Sequence, residues 1–224
     1  MPKEENDFPI AYKRGWVYFL NSKIYLQPGV FIPREETRFW VRKTIEKLKK
    51  EGFEEKKFFA LDLFSGSGCI GIAFLRSFPY AFVTFSDISL ISVMEIKDNL
   101  ERNKIKKERY EVLQGSIFEG VKRKYDFIFA NPPYVATERK NEVQKSVFKY
   151  EPPISFLGGE KGLLVIKKFL ERARDYLKEK GRIYMEFDPL QLKEIEKIIK
   201  RSNFSDFSFK KDQFGKFRWA EIFY

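Results

Sequence analysis

Histidine is absent from this chain of 224 residues, and Cys69 is its single cysteine. Without histidine the chain can form no Ser-His-Asp or Cys-His nucleophile, no imidazole base and no histidine metal site. A single cysteine excludes a disulfide within the chain and is typical of a reducing compartment, so we expect a cytoplasmic protein in which Cys69 packs. No apolar run is long enough to span a bilayer, and the polar start from Met1 to Asp7 lacks the apolar core of a secretory signal. Any chemistry must therefore use carboxylates, amides, backbone groups or a bound cofactor.

The net charge is strongly positive, at +11 for pH 7. A basic chain invites a nucleic-acid hypothesis. Its lysines and arginines, however, stand in runs of mixed sign at residues 42–57, 97–109 and 167–182, with opposite charges three or four apart as on solvated helix faces. No arginine-rich stripe interleaved with aromatic residues is present, so direct nucleic-acid binding is not favoured. An encounter with ribosome-bound material stays compatible.

Strand and helix signals separate a small N-terminal part from a larger α/β part. After a loose lead-in to about residue 13, residues 15–20 and 23–26 are rich in β-forming side chains, and Asn21-Ser22 between them predicts a hairpin turn. An amphipathic helix is then predicted to run to about Lys50. We expect the lead-in and hairpin to occupy residues 1–35 and a main domain to occupy 36–224.

The main domain alternates strands and helices, which predicts an α/β fold. Seven strands are predicted, at residues 58–63, 81–86, 110–114, 125–130, 182–187, 204–209 and 217–223. Helices are predicted at 69–78, 90–102, 162–179 and from 190 to about 201, with a polar loop over 135–160. The pattern predicts a mostly parallel sheet in a three-two-one-four order, with helices on both faces and an antiparallel last pair.

A glycine-rich turn follows the first strand of this sheet. The spacing Gly66-x-Gly68-x-x-Gly71, with Asp87 about twenty residues further on, fits a nucleotide-type cofactor site, in which Asp87 bonds ribose hydroxyls. Asp62, just before the turn, would repel a pyrophosphate but suits an ammonium and a sulfonium. This favours S-adenosylmethionine over nicotinamide cofactors. Two alternatives stay open, a tight strand–helix turn for the glycines and a cap on loop amides for Asp62.

The segment Asn131-Pro132-Pro133-Tyr134 ends the fourth strand of the sheet. Ligands of open α/β sheets bind at the carboxyl ends of parallel strands. Asn131 offers a carboxamide oxygen, the two prolines have no N–H, and Tyr134 offers an aromatic face. Together these groups can hold a flat group that carries N–H donors beside a cation. The alternative is a strand end followed by a rigid turn.

Several motifs in this chain occur together in one known family, at its order and spacing. They are Ile32-Pro33-Arg34-x-Glu36-Thr37, Leu61-Asp62-Leu63-x-x-Gly66-Ser67-Gly68, Asp87-Ile88-Ser89, Asn131-Pro132-Pro133-Tyr134, Glu151-Pro152, Gly158-Gly159-x-x-Gly162-Leu163 and Lys211-Asp212-x-x-Gly215. From about Phe8 to its end, the chain resembles the release factor glutamine methyltransferases of the HemK/PrmC family. The glycine loop and the Asn-Pro-Pro-Tyr motif also occur in adenine and guanine methylases, whereas the combination with Ile-Pro-Arg is more specific.

The resemblance implies a class I, Rossmann-like methyltransferase fold, with residues 36–224 as the catalytic domain. It implies S-adenosylmethionine as donor, S-adenosylhomocysteine as product and no metal. The acceptor would be a glutamine amide nitrogen in the Gly-Gly-Gln loop of a peptide-chain release factor. By position, the cofactor residues would be Phe64, Ser65, Gly66, Ser67, Gly68, Asp87, Ile117 and Asn131. The substrate residues would be Asn131, Pro132, Pro133 and Tyr134, of which Asn131, Pro132 and Tyr134 would be catalytic.

The chain departs from the family pattern in three places. Phe64 stands where glycine is usual, and Ser116 replaces an acid before the adenine-side residue Ile117. The family's N-terminal helical domain has no room before Ile32, so a helper protein could supply substrate recognition. Two other function classes stay open, a nucleic-acid base methyltransferase that uses the same four residues on an exocyclic amine, and an adapter without activity.

Overall fold

The computed structural model describes residues 7–224. The sequence-based prediction of a polar start at residues 1–7 therefore lies outside the described residues, apart from Asp7. The helices are α1 Ile10–Arg14, α2 Glu35–Lys50, α3 Cys69–Ser77, α4 Leu90–Arg102, α5 Lys145–Tyr150, α6 Leu164–Ala173 and α7 Leu192–Arg201. The strands are β1 Trp16–Phe19, β2 Ser22–Tyr25, β3 Phe58–Leu63, β4 Ala81–Asp87, β5 Tyr110–Gln114, β6 Tyr125–Ala130, β7 Leu177–Glu186, β8 Asp206–Lys211 and β9 Phe217–Phe223. No helix among the described residues is both long and apolar enough to cross a membrane.

Strands β3 to β9 form one sheet in the order β5-β4-β3-β6-β7-β9-β8. The pairs from β5 to β7 are parallel, whereas β9 runs antiparallel to both of its neighbours. The predicted seven strands, their three-two-one-four order and the antiparallel last pair are therefore confirmed. In this order the carboxyl ends of β3, β4, β5 and β6 meet at one edge of the sheet.

Two hydrophobic cores lie on opposite faces of the sheet because successive residues of a strand point to opposite sides. In β6, Phe127 and Phe129 belong to one core and Ile128 to the other. The first core packs α2, α3 and α4 against the sheet, and the Phe74 ring stacks on Phe129 with centroids 3.9 Å apart. The second core contains Phe169 of α6 together with residues of α7. Both faces are covered, which explains why β3 and β6 are almost continuously apolar.

The N-terminal part differs in detail from the prediction. The loose lead-in is wrong for residues 10–14, which form α1 and end at Gly15 in a left-handed conformation (φ 75°). Tyr12 of α1 is buried in the first core, and this packing orders the segment. The hairpin turn is Leu20-Asn21 rather than Asn21-Ser22, because Ser22 pairs with Phe19.

The hairpin shares its core with the larger part of the chain. Phe19 and Ile24 point inward and are buried. Asn99 of α4 joins the two parts, since its side chain accepts the Tyr25 N–H at 2.7 Å and donates to the Ser67 carbonyl at 3.1 Å. The hairpin is thus hydrogen-bonded through one side chain to the glycine-rich loop. A domain boundary at residue 35 stays a prediction.

Two further stretches were predicted incorrectly. The predicted loop over 135–160 contains α5 and short 3₁₀ turns. The predicted helix over 162–179 ends at Ala173 and a 3₁₀ turn, and β7 already begins at Leu177. Leu177 is buried and pairs with Tyr125, so pairing with β6 overrides the helical preference of the charged sequence there.

Candidate active site

A cavity lies at the carboxyl ends of β3, β4, β5 and β6, where the sequence predicts a ligand. It brings together most of the predicted cofactor residues, and those lining it are Phe64, Ser65, Gly66, Ser67, Asp87, Ile117 and Asn131. Gly68 does not line the cavity but precedes α3 in a left-handed conformation (φ 77°). Cys69, interpreted as a packing residue, is buried and forms part of the cavity wall.

A second cavity adjoins the first across the Asn131–Tyr134 segment. Asn131 and Pro133 line both cavities, whereas Pro132 and Tyr134 line only the second. Phe31, which the sequence analysis did not single out, also lines both cavities. The four-residue segment therefore forms the boundary between two spaces that meet at Asn131.

The glycine-rich loop has an unusual backbone at Phe64. Its φ is 60°, in the left-handed region that favours glycine. A side chain there costs about 1–2 kcal/mol, which accounts for the family's usual glycine at this position. In this chain the Phe64 ring packs edge-on against Phe169 of α6, with centroids 6.0 Å apart.

Asp87 organises the loop from the end of β4. Its carboxylate accepts the Gly66 N–H at 2.8 Å and the Ser89 N–H at 2.9 Å. Burial raises the pKa of Asp87, while the hydrogen bonds from Ser89 and Gly66 oppose that rise. Each carboxylate oxygen can accept further bonds, so the group can also hold hydroxyls of a ligand. Beside it, Ile88 and Ile117 give the cavity an apolar wall suited to a flat ring.

Asp62 lies behind the loop and does not line the cavity. It is fully buried, and its Oδ2 accepts the Gly71 N–H at 2.8 Å. Burial raises the pKa of Asp62 well above its ordinary value. A Cβ at Gly71 would overlap the Phe85 ring, so glycine permits the close packing of α3 on β4. Asp62 therefore accepts an N–H from the first turn of α3 rather than from the loop, and its Oδ1 accepts no hydrogen bond from the described residues.

Asn131 and Pro132 each carry a carbonyl-type acceptor at the boundary of the two cavities. The carboxamide Nδ2 donates to Thr37 Oγ1 at 3.3 Å, which directs Oδ1 away from Thr37. Neither Asn131 Oδ1 nor the Pro132 carbonyl accepts a hydrogen bond from residues 7–224. Both oxygens are thus available to N–H groups of a ligand.

A buried carboxylate, Glu186, lies behind this segment at the end of β7. It is 1% exposed, and Oε2 accepts from Thr37 Oγ1 and Trp40 Nε1, each at 2.7 Å. Oε1 accepts from the Tyr134 hydroxyl at 3.0 Å. Burial raises the pKa of Glu186, and these three hydrogen bonds oppose the rise. The pKa of the Tyr134 hydroxyl is raised by its own burial and then by the Glu186 charge.

The sequence analysis missed Glu186 and the role of Thr37. One signal was present, because an acid ends the buried strand β7 much as Asp87 ends β4. Its hydrogen-bond partners, however, come from α2 and from the segment after β6, and only the fold brings them together.

The loop after α5 supports the segment from its other side. A Cβ at Gly158 would lie 2.5 Å from the Pro133 carbonyl oxygen, and one at Gly162 would overlap the Tyr134 carbonyl oxygen. Gln191 Nε2 donates to that same Tyr134 oxygen at 2.8 Å. The family's Gly-Gly-x-x-Gly motif thus allows two stretches of backbone to approach closely.

An ion pair between the partly exposed Arg34 and the buried Glu151 connects the Ile32-Pro33-Arg34 and Glu151-Pro152 motifs. Glu151 contacts Arg34 at 2.6 Å and accepts the Ile32 N–H at 3.4 Å. Burial raises the pKa of Glu151, and the nearby Arg34 opposes the rise. The Ile-Pro-Arg segment is therefore fastened to the chain just after α5, beside the second cavity.

Comparisons with known proteins agree with this geometry. Residues 22–153 match the methyltransferase small domain family. A release factor glutamine methyltransferase of Thermodesulfovibrio yellowstonii is 35% identical over 92% of this chain and 73% of its own length. One from Flavobacterium psychrophilum is 32% identical over 96% of this chain and 75% of its own length. Among solved structures, a T. thermophilus 16S rRNA N2 G1207 methyltransferase in complex with AdoMet and guanosine superposes with a TM-score of 0.69. The match covers 93% of this chain and 49% of that one, at 19% sequence identity. At this identity the match shows a similar fold and nothing more.

Proposed function

Because this chain belongs to the release factor glutamine methyltransferase family, we propose that it methylates the side-chain amide nitrogen of a glutamine in the Gly-Gly-Gln loop of a peptide-chain release factor. Its sheet order and structural neighbours confirm the class I methyltransferase fold. The family match makes it an S-adenosylmethionine-dependent enzyme. The identity of the methyl acceptor is argued below from the geometry of the site.

The first cavity offers the groups that S-adenosylmethionine requires. Asp87 would hold the ribose hydroxyls through lone pairs that Gly66 and Ser89 leave free, and Ile88 and Ile117 would flank the adenine. The loop from Phe64 to Ser67 lines this cavity, and its backbone would approach the bound cofactor closely. When bound, S-adenosylmethionine supplies an electrophilic methyl group on a sulfonium and becomes S-adenosylhomocysteine.

The pair of free acceptors at Asn131 is the observation that carries the proposal. An amide nitrogen is a poor nucleophile because its lone pair is delocalised into the carbonyl group. Asn131 Oδ1 and the Pro132 carbonyl would accept its two N–H hydrogens and hold the nitrogen toward the first cavity. This orients the lone pair and raises the electron density on nitrogen. Once methylated, the nitrogen would lose one of its two hydrogens as a proton to solvent water, and the electron pair of the broken methyl–sulfur bond would remain on the sulfur of S-adenosylhomocysteine. Orientation of this kind can lower a barrier by about 7–11 kcal/mol in favourable cases.

The second cavity would receive the rest of the glutamine side chain. Pro133 and Tyr134 line it, together with Phe31 and the aliphatic Val135. A flat carboxamide entering between these apolar surfaces would reach Asn131 at the boundary of the two cavities. Tyr134 lines only this second cavity, so its ring would pack against the glutamine carboxamide.

Methyl transfer from labelled S-adenosylmethionine tests the proposal. The purified chain is incubated with a release factor, with the same factor carrying Gln→Ala in its Gly-Gly-Gln loop, and with ribosomal RNA. We expect label only in the unaltered factor, with a mass increase of one methyl group on that glutamine.

Each other outcome identifies a competing function. Label in RNA would favour the base methyltransferase alternative, in which the two acceptors hold an exocyclic amine. Cofactor binding without transfer to any acceptor would favour the adapter. Label in the Gln→Ala factor would move the target to another residue of the protein.

A further inference from the structure

The donors around Glu186 set the direction of the hydrogen bonds that reach Asn131. The indole nitrogen of Trp40 can only donate, so Glu186 Oε2 accepts from it. Thr37 Oγ1 lies 2.7 Å from the same oxygen and donates its single hydroxyl hydrogen there. With Glu186 ionised and accepting three hydrogen bonds, the Thr37 oxygen is left with lone pairs only. The end of the Asn131 carboxamide that contacts it must therefore be the NH₂ group.

This direction decides what Asn131 presents to a substrate. The two ends of a carboxamide are nearly equal in size, so shape alone does not choose between them. Rotated by 180°, Asn131 would present its own N–H groups to the N–H groups of a substrate amide, and both sets of donors would lack acceptors. A buried donor without an acceptor costs about 1–3 kcal/mol. The orientation of this one side chain is thus essential to the pair of acceptors.

We propose that Glu186 and Thr37 are positioning residues for methyl transfer, in which Glu186 aligns the Thr37 hydroxyl and Thr37 turns the Asn131 carboxamide so that Oδ1 faces the substrate nitrogen. The inference rests on the proposed function of Asn131. Glu186 is not among the residues that line either cavity beside Asn131, so it acts through its neighbours rather than on substrate. Its other oxygen holds the Tyr134 hydroxyl, so one carboxylate secures both ends of the Asn131–Tyr134 segment.

The orientation can be measured without substrate or cofactor. In protein labelled with ¹⁵N-asparagine, the side-chain NH₂ signals of Asn131 are assigned by their loss in Asn131→Ala. Thr37→Val removes the acceptor at nearly constant volume, whereas Thr37→Ser keeps the hydroxyl. We expect the NH₂ hydrogens to exchange with water about tenfold faster in Thr37→Val, and within about threefold of wild type in Thr37→Ser.

Single-turnover methyl transfer tests the consequence for catalysis. With saturating S-adenosylmethionine, Thr37→Val should lower the rate at least about tenfold, and Thr37→Ser should retain most of it. In an Asn131→Ala background the same Thr37→Val change should alter the rate less than about twofold, because the residue through which it acts is gone. Thr37 lines the first cavity, so the cofactor dissociation constant is measured for each variant by calorimetry.

Glu186 is tested with a variant designed to fold. Glu186→Leu alone would leave both Trp40 Nε1 and the Tyr134 hydroxyl without their acceptor, so it is combined with Trp40→Phe and Tyr134→Phe, since removing both partners of a buried hydrogen bond is much less costly than removing one. Tyr134→Phe alone is the control for loss of the Tyr134 hydroxyl. The triple variant frees the Thr37 hydroxyl to rotate. It should show the fast Asn131 exchange and the slow transfer of Thr37→Val.

Three results would overturn the inference. They are unchanged Asn131 exchange in Thr37→Val, equal rate losses in Thr37→Val and Thr37→Ser, and a Thr37→Val effect that persists in the Asn131→Ala background. If exchange behaves as expected but no glutamine is methylated, the proposed function alone is contradicted, because the exchange measurement does not depend on the acceptor.

Discussion

The Asp87 carboxylate both accepts hydrogen bonds from the backbone and faces the first cavity, and substitutions can distinguish these two roles. Hydrogen bonds to a charged group contribute about 1.5–3 kcal/mol. Asp87→Ala should therefore weaken S-adenosylmethionine binding about tenfold to a hundredfold in calorimetry, and Asp87→Asn, which keeps one acceptor oxygen, should weaken it less. Unchanged affinity in Asp87→Ala would remove this residue from the cofactor site.

Asn131 is the residue on which the mechanism depends most directly. Asn131→Ala removes one of the two free acceptors, and each 1.36 kcal/mol of lost stabilisation is a tenfold loss of rate. We expect turnover to fall by about two to four orders of magnitude while the melting temperature stays near that of wild type.

Asn131→Asp provides the sharper comparison at the same position. A carboxylate has no hydrogen to donate to Thr37, whose own hydrogen is directed to Glu186, so the two oxygens would face each other unpaired. In the proposed binding mode the added negative charge would lie beside the sulfonium and would favour bound cofactor over a transition state in which positive charge disperses. This variant should bind S-adenosylmethionine at least as well as wild type yet transfer methyl more slowly. Wild-type rates in both variants would reduce the segment to a strand end.

Among single residues, the sequence indicated those that line the two cavities better than those that support them. Asp87 and Asn131 follow predicted strands, so their convergence at one sheet edge could be expected from topology. Thr37 and Glu186 are 149 positions apart in the chain and meet only through packing of α2 on the sheet. Phe64 is an intermediate case, because its departure from glycine was visible but its left-handed backbone was not.

Among the elements, the loop from Gly158 to Gly162 packs directly against the backbone of Pro133 and Tyr134. Gly162 has φ 67° and no room for a Cβ beside the Tyr134 carbonyl, whereas Gly120 has φ 77° and nothing within 4 Å. Alanine at either position bears the left-handed cost of about 1–2 kcal/mol. Only Gly162→Ala must also displace the Tyr134 backbone.

The matched pair of variants therefore isolates the contact between the two loops. We expect Gly162→Ala to lower both the melting temperature and the methyl-transfer rate, and Gly120→Ala to lower the melting temperature alone. Equal rates for the two alanine variants would show that the loop contact does not position the segment.

The helices and strands that were predicted correctly are those whose local sequence pattern alone determines the secondary structure. The apolar runs of β3 and β6 and the amphipathic α4 appear where expected, within a residue or two. The failures have tertiary causes. α1 is ordered by burial of Tyr12, and β7 extends back to Leu177 because it pairs with β6. Neither cause is visible in a short window of sequence.

The molecule as a whole buries several carboxyl groups with raised pKa values, and Glu95 of α4 gives a measurable case. Burial, followed by the charge of Asp98, raises the pKa of Glu95 to about 7. A carboxyl group whose pKa is higher in the folded than in the unfolded state stabilises the fold below its unfolded pKa, and this contribution is lost as pH rises through the folded value. The free energy of unfolding should therefore fall between about pH 4.5 and pH 7.

Glu95→Gln removes this titration and is compared with Glu101→Gln, which lies exposed on the same helix. In denaturant titrations Glu95→Gln should gain stability relative to wild type at pH 8 but not at pH 4.5, by on the order of 1–3 kcal/mol. Glu101→Gln should have the same free energy of unfolding as wild type at both pH values. A Glu95→Gln curve parallel to wild type would contradict the raised pKa.

The positive net charge of the chain predicts how the rate of association with a substrate protein depends on salt. The chain spans 73–77% of the length of several curated relatives. A partner that contributes to substrate recognition stays a prediction. With a net charge of +11, encounter with ribosome-associated or acidic material should be electrostatically assisted. We expect the association rate with a release factor to fall as salt rises from about 50 to 300 mM, with a much smaller change in dissociation rate. Stopped-flow fluorescence would measure both, and tight binding that does not respond to salt would show that the positive surface has no part in the encounter.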